Sequence, residues 1–197
     1  MIDITKEKIQ QVLRNYQKKK ISDEKLKPSA VLMPIFYKKG NYHILFIKRS
    51  QAVNFHKGHS AFPGGNHEPH DSSLLQTALR EAKEEIGLEP KDVEIVGELD
   101  DFTTLTNGYI ISPFVAFIPY PYPFQLDSRE VEEFFSVPLS ALMDESNFRQ
   151  DYYPTGEKIG AGYAYEYEGR IIWGATARIV RHFMELLGSR FESGASG

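Results

Sequence analysis

At 197 residues the chain suits one domain with an ordinary core and leaves little over for a second. Apolar residues make up 41% and charged residues 25%, a normal balance for a globular protein, and a formal net charge of −4 excludes the broad positive field of a general nucleic-acid binder. There is no cysteine, which excludes disulfides, a thiolate nucleophile and thiolate zinc sites. The opening stretch Met1 to Lys20 is charged throughout and no apolar run reaches the length of a membrane span. Neither a signal peptide nor a membrane partner is therefore expected, and a cytoplasmic location is.

Residues Ile4 to Lys19 read as an amphipathic helix, with Ile9, Val12, Leu13 and Tyr16 on one face. A polar linker follows from Ile21 to Lys27, so 1–27 are expected as a helix plus linker ahead of a main domain over 28–190. Ser29 to Tyr37 and Tyr42 to Ile47 read as strands joined by the turn Lys38-Lys39-Gly40-Asn41, a hairpin. Lys48 to Gly65 reads as a long loop with three glycines, two histidines and one proline, a length at which ordered loops are usually functional. Ser73 to Ile86 is the clearest helix: Asp71 or Ser72 can cap its start, Gly87 can end it and Pro90 follows. Val93 to Leu99 and Tyr109 to Ile118 read as strands, Pro119 to Pro123 as a stiff aromatic connector, Phe134 to Val137 as a short strand and Pro138 to Met143 as a short helix. Tyr152 to Tyr167 and Arg170 to Trp173 suggest further strands. Ala175 to Leu187 reads as a closing helix, with Ile179, Val180, Phe183, Met184 and Leu187 inward, and a flexible tail is expected over 191–197. Strands with a helix between them and another at the end point to an α/β or α+β sandwich.

The sharpest feature is Arg80-Glu81-Ala82-Lys83-Glu84-Glu85. A helix turns about 100° per residue, so Glu81, Glu84 and Glu85 share one stripe while Leu75, Ala78, Leu79, Ala82 and Ile86 fill the neighbouring, sheet-facing side. Like charges at this spacing cost roughly 0.2–0.5 kcal/mol each on an exposed helix, and a hard divalent cation with a preference for oxygen turns that repulsion into attraction. Arg80 can pair with Glu84 one turn on. Alone, such a run is more often a solvated face than a site. Upstream stands Phe62-Pro63-Gly64-Gly65, where glycine lets the backbone approach a metal or phosphate closely, and the combination is far more specific than either part.

These residues resemble the Nudix box, a glycine–loop–helix module with the core R-E-x-x-E-E-x-G, here GNHEPHDSSLLQTALREAKEEIGL from Gly65 to Leu88. The usual box has a glutamate eight positions before the arginine; this chain has Ser72 there and Asp71 one place earlier. That departure is similar to one branch of the family, the coenzyme A pyrophosphatases, as are F-P-G-G and the run Thr77 to Leu88. The branch's upstream signature is matched by Arg49-Ser50, His56 and Gly58, with Val53 for leucine and with His59 and Ser60 departing from it. Val96 to Asp101, VEEFFSVPLSAL from Val131 to Leu142, and Ile172-Trp173-Gly174-Ala175-Thr176-Ala177 continue the resemblance, which covers about Ser29 to Leu187.

The resemblance implies a Nudix-type α/β/α sandwich with a mixed central sheet. It implies a pyrophosphohydrolase using Mg²⁺ or Mn²⁺ on a small-molecule nucleotide, with Arg80, Glu81, Glu84 and Glu85 catalytic. Glu81, Glu84, Glu85 and the Gly65 carbonyl would hold metal, and Asp71 either joins them through water or caps the helix. One box glutamate, or one of Glu130, Glu132 and Glu133, would act as base. Arg49, His56, Gly64 and Gly65 would contact the substrate phosphates. His59, His67 and His70 match no zinc spacing and are expected to face solvent, and Trp173 reads as a core residue or an aromatic shelf for adenine. On the branch's pattern the substrate is coenzyme A or a derivative and the products are 3′,5′-ADP and (acyl-)4′-phosphopantetheine. The alternatives are the same chemistry on ADP-ribose, NADH or a dinucleoside polyphosphate, or a non-catalytic nucleotide-binding module. A monomer and a homodimer remain equally open, the first helix either packing on the domain or joining two copies.

Overall fold

The structure is a computed structural model that describes residues 4–51, 58–104, 108–150, 154–155, 158–159 and 162–192. A helix α1 (Lys6–Arg14) precedes the hairpin β1 (Lys27–Lys38) and β2 (Asn41–Arg49). Short strands β3 (Ser60–Ala61) and β4 (Gly64–Asn66) lead into α2 (Leu74–Ile86). Then come β5 (Glu94–Glu98), β6 (Phe102–Thr103), β7 (Tyr109–Phe117), β8 (Val131–Pro138) and α3 (Leu139–Leu142). The chain continues through β9 (Phe148–Arg149), β10 (Pro154–Thr155), β11 (Lys158–Ile159), β12 (Ala164–Tyr167) and β13 (Arg170–Trp173) to α4 (Gly174–Glu192).

One mixed sheet of eight strands forms the centre, running β3-β2-β1-β7-β5, with β4 also on β1, β6 on β7 and β8 on β2. β1 lies parallel to β7, with Leu32 opposite Phe114, and antiparallel to β2, with Ile35 opposite Ile44. A central strand is covered on both faces and so reads as a continuous apolar run, with alternate side chains going to opposite layers. Accordingly Ala30, Leu32 and Phe36 pack with Ala78, Ala82 and Ile86 of α2, while Met33 and Ile35 pack with Ile9 and Leu13 of α1 and Ile179 and Phe183 of α4. A small sheet β13-β12-β9 joins the second layer. The result is the mixed-sheet α/β/α sandwich that the sequence implied.

The hairpin turn matches its residues: Lys39 and Gly40 both take positive φ (49° and 83°), as a two-residue turn joining twisted strands requires. α2 is capped by Ser73, whose hydroxyl accepts from the Gln76 N–H at 3.2 Å, rather than by Asp71 or Ser72. Its other end is closed by Gly87 in the left-handed region, φ 68°, as expected. α1 ends sooner than its apolar pattern suggested. Tyr16 turns its hydroxyl to Asp100 at 2.5 Å, and the Lys19 and Ile21 N–H groups go to Asp100 and Asp101 at 2.7 and 2.9 Å, so the chain runs extended along the β5–β6 turn.

Ile9, Val12 and Leu13 are buried, each stabilising by about 1.5–3 kcal/mol on full burial, so α1 belongs to the same core as the strands. Leu13 sits directly over Gly97, where an added Cβ would come within 2.9 Å of the Leu13 Cβ. The stretch read as a long loop is instead braced by β3 on β2 and β4 on β1, and α4 runs on to Glu192 into the expected tail, of which 193–197 lie outside the described residues. Among the described residues, no helix is long and apolar enough to cross a membrane.

Candidate active site

β4 sets the site. Its pairing on β1 puts Gly64 opposite Val31 and Gly65 opposite Ala30, and α2 crosses directly above. The Gly64 N–H donates to Glu85 Oε2 at 2.9 Å, and the Gly65 backbone lies against the Glu81 carboxylate so closely that an added Cβ would fall 2.5 Å from the Glu81 Cδ. A register shift in the β2–β8 pairing falls between Lys48 and Arg49, and such a bulge re-aims a side chain. Arg49 Nη1 reaches Glu85 Oε1 at 3.4 Å. These groups open on a cleft of about 780 Å³ whose walls include Arg49, Gly65, Glu81, Glu84, Trp173 and Arg178.

The three box glutamates share a helix stripe but not an environment. The side chain of Glu84 is 57% exposed, Glu81 14% and Glu85 1%. Burial pushes the Glu85 carboxyl up to about 8 against the pull of the Gly64 N–H and Arg49. Burial also raises Glu81, opposed by Arg80, with the charges of Glu84 and Glu130 adding to the rise. Among the described residues, no three carboxylate or imidazole side chains converge on one point as a metal would draw them.

Arg80 stands between the acids instead. Its Nη1 donates to Glu81 at 2.9 Å and to Glu84 at 3.1 Å, the pairing one turn on that the spacing indicated. Nε and Nη2 grip the two oxygens of Asp71 at 3.0 Å each, and Nη2 also reaches the Asn66 carbonyl at 3.0 Å.

Asp71 requires a correction. It is buried, and besides the Arg80 fork it accepts from the Thr77 hydroxyl at 2.9 Å and the Glu68 N–H at 3.0 Å. The guanidinium holds its carboxyl well below the usual carboxylate range. With both oxygens engaged, Asp71 is an anchor for Arg80, and Ser73 rather than Asp71 caps the helix.

Arg49, Gly64 and Gly65 line the cleft, and His56 lies outside the described residues. His59, expected in solvent, lines the cleft with its ring edge-on to Trp173 at 4.4 Å, and Trp173 itself is a wall of the cleft. His67 bonds to Thr77 Oγ1 at 2.9 Å, and His70 is exposed beside Glu68. Of the three late glutamates, Glu132 pairs with Lys48 at 2.7 Å and Glu133 with Arg170 at 2.8 Å; Glu130 lines the cleft. The sequence reading passed over Thr103, Tyr109 and Arg178, which also line it. Their only signal was Arg178 directly after the W-G-A-T-A run.

The family model for the NUDIX domain matches residues 26–158. The chain is 34% identical to an uncharacterized Nudix hydrolase NudL of Photorhabdus laumondii over 85% of this chain and 88% of that one. It is 35% identical to a NudL of Yersinia pestis over 80% and 78%. Among solved structures it resembles a MutT/nudix family protein from Enterococcus faecalis, with TM-score 0.57 at 17% identity over 85% of this chain and 64% of that one. It also resembles a NUDIX hydrolase from Alicyclobacillus acidocaldarius, with TM-score 0.53 at 14% identity over 86% and 96%. With the model spanning most of the chain and relatives this similar along most of their length, the protein belongs to the NUDIX family.

Proposed function

We propose that the cleft hydrolyses the pyrophosphate of coenzyme A or its acyl derivatives, giving 3′,5′-ADP and (acyl-)4′-phosphopantetheine. Family membership supports a pyrophosphohydrolase. The narrower substrate rests on Arg49-Ser50, the F-P-G-G run and the match from Thr77 to Leu88.

The observation that carries the catalytic reading is the close seat of Glu81 on Gly65, with Glu84 beside it on the cleft wall and Glu85 held behind. All donors there are oxygens, which suits Mg²⁺ or Mn²⁺. Glu81, Glu84, Glu85 and the Gly65 carbonyl would hold the ion, with Arg80 donating to Glu81 and Glu84 beside it. A divalent cation bound there would neutralise pyrophosphate charge and lower the pKa of a water. Arg49 orients a phosphate through its fork of donors. Glu130 has no ion-pair partner among the described residues and reaches the cleft, which supports it as acceptor of the water's proton.

The test is turnover of coenzyme A against ADP-ribose with Mg²⁺ and with Mn²⁺, products identified by mass spectrometry. Preferred cleavage of coenzyme A to 3′,5′-ADP, lost in Glu84→Gln, is the expected result. Faster cleavage of ADP-ribose, or no cleavage of either, would overturn the substrate or the activity respectively.

A further inference from the structure

We propose that Arg178 is a specificity-determining residue of this cleft. It receives a phosphate monoester carried on the nucleoside end of the substrate, away from the bond that is cut. The inference rests on the pyrophosphatase reading above and deepens it.

Three arginines line the cleft, and two sit against carboxyl groups: Arg49 faces Glu85 at 3.4 Å, and Arg80 faces Asp71, Glu81 and Glu84 at 2.9 to 3.1 Å. Arg178 has no carboxylate partner among the described residues. Its side chain is nonetheless held in place. Nη1 donates to the Thr103 carbonyl at 3.1 Å, and the guanidinium carbon lies 5.5 Å from the centre of the Phe102 ring. One of five donors is spent on that orienting bond, and the others have no acceptor among the described residues. A fixed, uncompensated guanidinium in a concave site attracts an anion and can grip a phosphate with two parallel bonds.

Its position says which anion. Phe102 pairs with Ile111, Ile111 with Ser29, and Ser29 with Asn66, so one row of residues crosses four strands from β6 to β4. Three inter-strand steps span roughly 14 Å. Beside one end of the row, next to Asn66, Gly65 seats Glu81, and beside the other, next to Phe102, Thr103 holds Arg178, yet both side chains line the same cleft. A pyrophosphate held at the acidic end therefore leaves Arg178 facing the far end of a nucleotide that lies along the cleft. Trp173, five residues before Arg178 at the end of β13, adds a flat apolar wall suited to a base. The group meeting Arg178 is then a second phosphate on the ribose. Nucleotides that lack it, such as ADP-ribose and NADH, leave the guanidinium unanswered.

Binding of 3′,5′-ADP and of 5′-AMP to the whole protein, measured by calorimetry, tests this without requiring turnover. The native chain is expected to prefer 3′,5′-ADP by about ten- to hundredfold, the range for a charge-assisted contact. Arg178→Gln is expected to bring the two within about twofold, and Arg178→Lys to keep an intermediate preference because it retains charge without the fork. The ratio of kcat/KM for coenzyme A over its dephosphorylated form should fall in Arg178→Gln by the same factor. No preference in the native chain, or a preference that survives Arg178→Gln in a protein of native circular dichroism, overturns the proposal. If the preference is present and depends on Arg178 while neither form is hydrolysed, the pyrophosphatase reading fails and the assignment of Arg178 stands.

Discussion

Replacing Gly65 and Gly64 in turn by alanine separates chemistry from folding at adjacent positions. At Gly65 the new methyl would lie 2.5 Å from the Glu81 Cδ and 2.7 Å from Oε2, against an ordinary contact of 3.4 Å or more. The obstacle is the far end of a flexible side chain, so the carboxylate retreats by about 1 Å and the backbone stays where it is, a misplacement that costs about a hundredfold in rate at a reacting site. Stability should hold or rise slightly, because alanine restricts the unfolded chain. At Gly64 the methyl meets the Ala30 carbonyl and, at 2.6 Å, the Val31 Cα, and φ is +155°. Neither strand can move without breaking the β1–β4 pairing, so Gly64→Ala should lower the unfolding midpoint by an amount that thermal denaturation resolves. Steady-state kinetics across a Mg²⁺ titration, alongside circular dichroism melts, read both effects. Gly65→Ala should lose about a hundredfold in kcat/KM, partly recovered at high Mg²⁺, at an unchanged melting temperature. Full activity in Gly65→Ala would refute the claim that Glu81 works from its seat on this glycine.

Asp71→Ala should cost about 2–3 kcal/mol, below the usual loss for breaking a buried pair because Arg80 keeps Glu81 and Glu84, and should lower the melting temperature by roughly 4–12 °C. Since Arg80 holds the Asp71 carboxyl below its usual range, the native contribution is full above that range and fades as pH falls through the folded value, so acid melts of native and variant chains should converge. Burial depresses His182, opposed by Asp100 and Glu185 and aided by Lys19, and its Nε2 meets the Tyr16 hydroxyl at 3.1 Å. Below the ordinary histidine value of about 6.5 the unfolded chain takes up the proton first, so stability should fall as pH drops below about 6.5, and His182→Gln should flatten that slope in urea titrations.

The large strands and α2 were legible because their apolar spacing is set by two-sided burial in β1 and by one-sided packing in α2. What the sequence hid was set by partners distant in the chain. β6 and β9 are two residues each and exist only because β7 and β12 pair with them. The early end of α1 follows from Asp100 and Asp101, some 80 residues on, which no local pattern announces. At the site, the acidic stripe was readable as a helix periodicity, but the differing depths of Glu81, Glu84 and Glu85 depend on β4. Asp71 was ambiguous for the same reason: only the fold reveals that Arg80 occupies both its oxygens. Glu130 could be told from Glu132 and Glu133 only once Lys48 and Arg170 were seen to claim the other two.

The inner layer built by α1 and α4 bears on how the molecule is born. Ile179, Val180 and Phe183 lie after residue 158, yet they cover Met33, Ile35 and Val115 in the middle of the sheet. During translation every strand of that sheet leaves the ribosome before α4 does, so the part of that face which α4 covers stays exposed until α4 has been made. A chain cut ahead of residue 174 would leave those apolar side chains without their cover and open to aggregation.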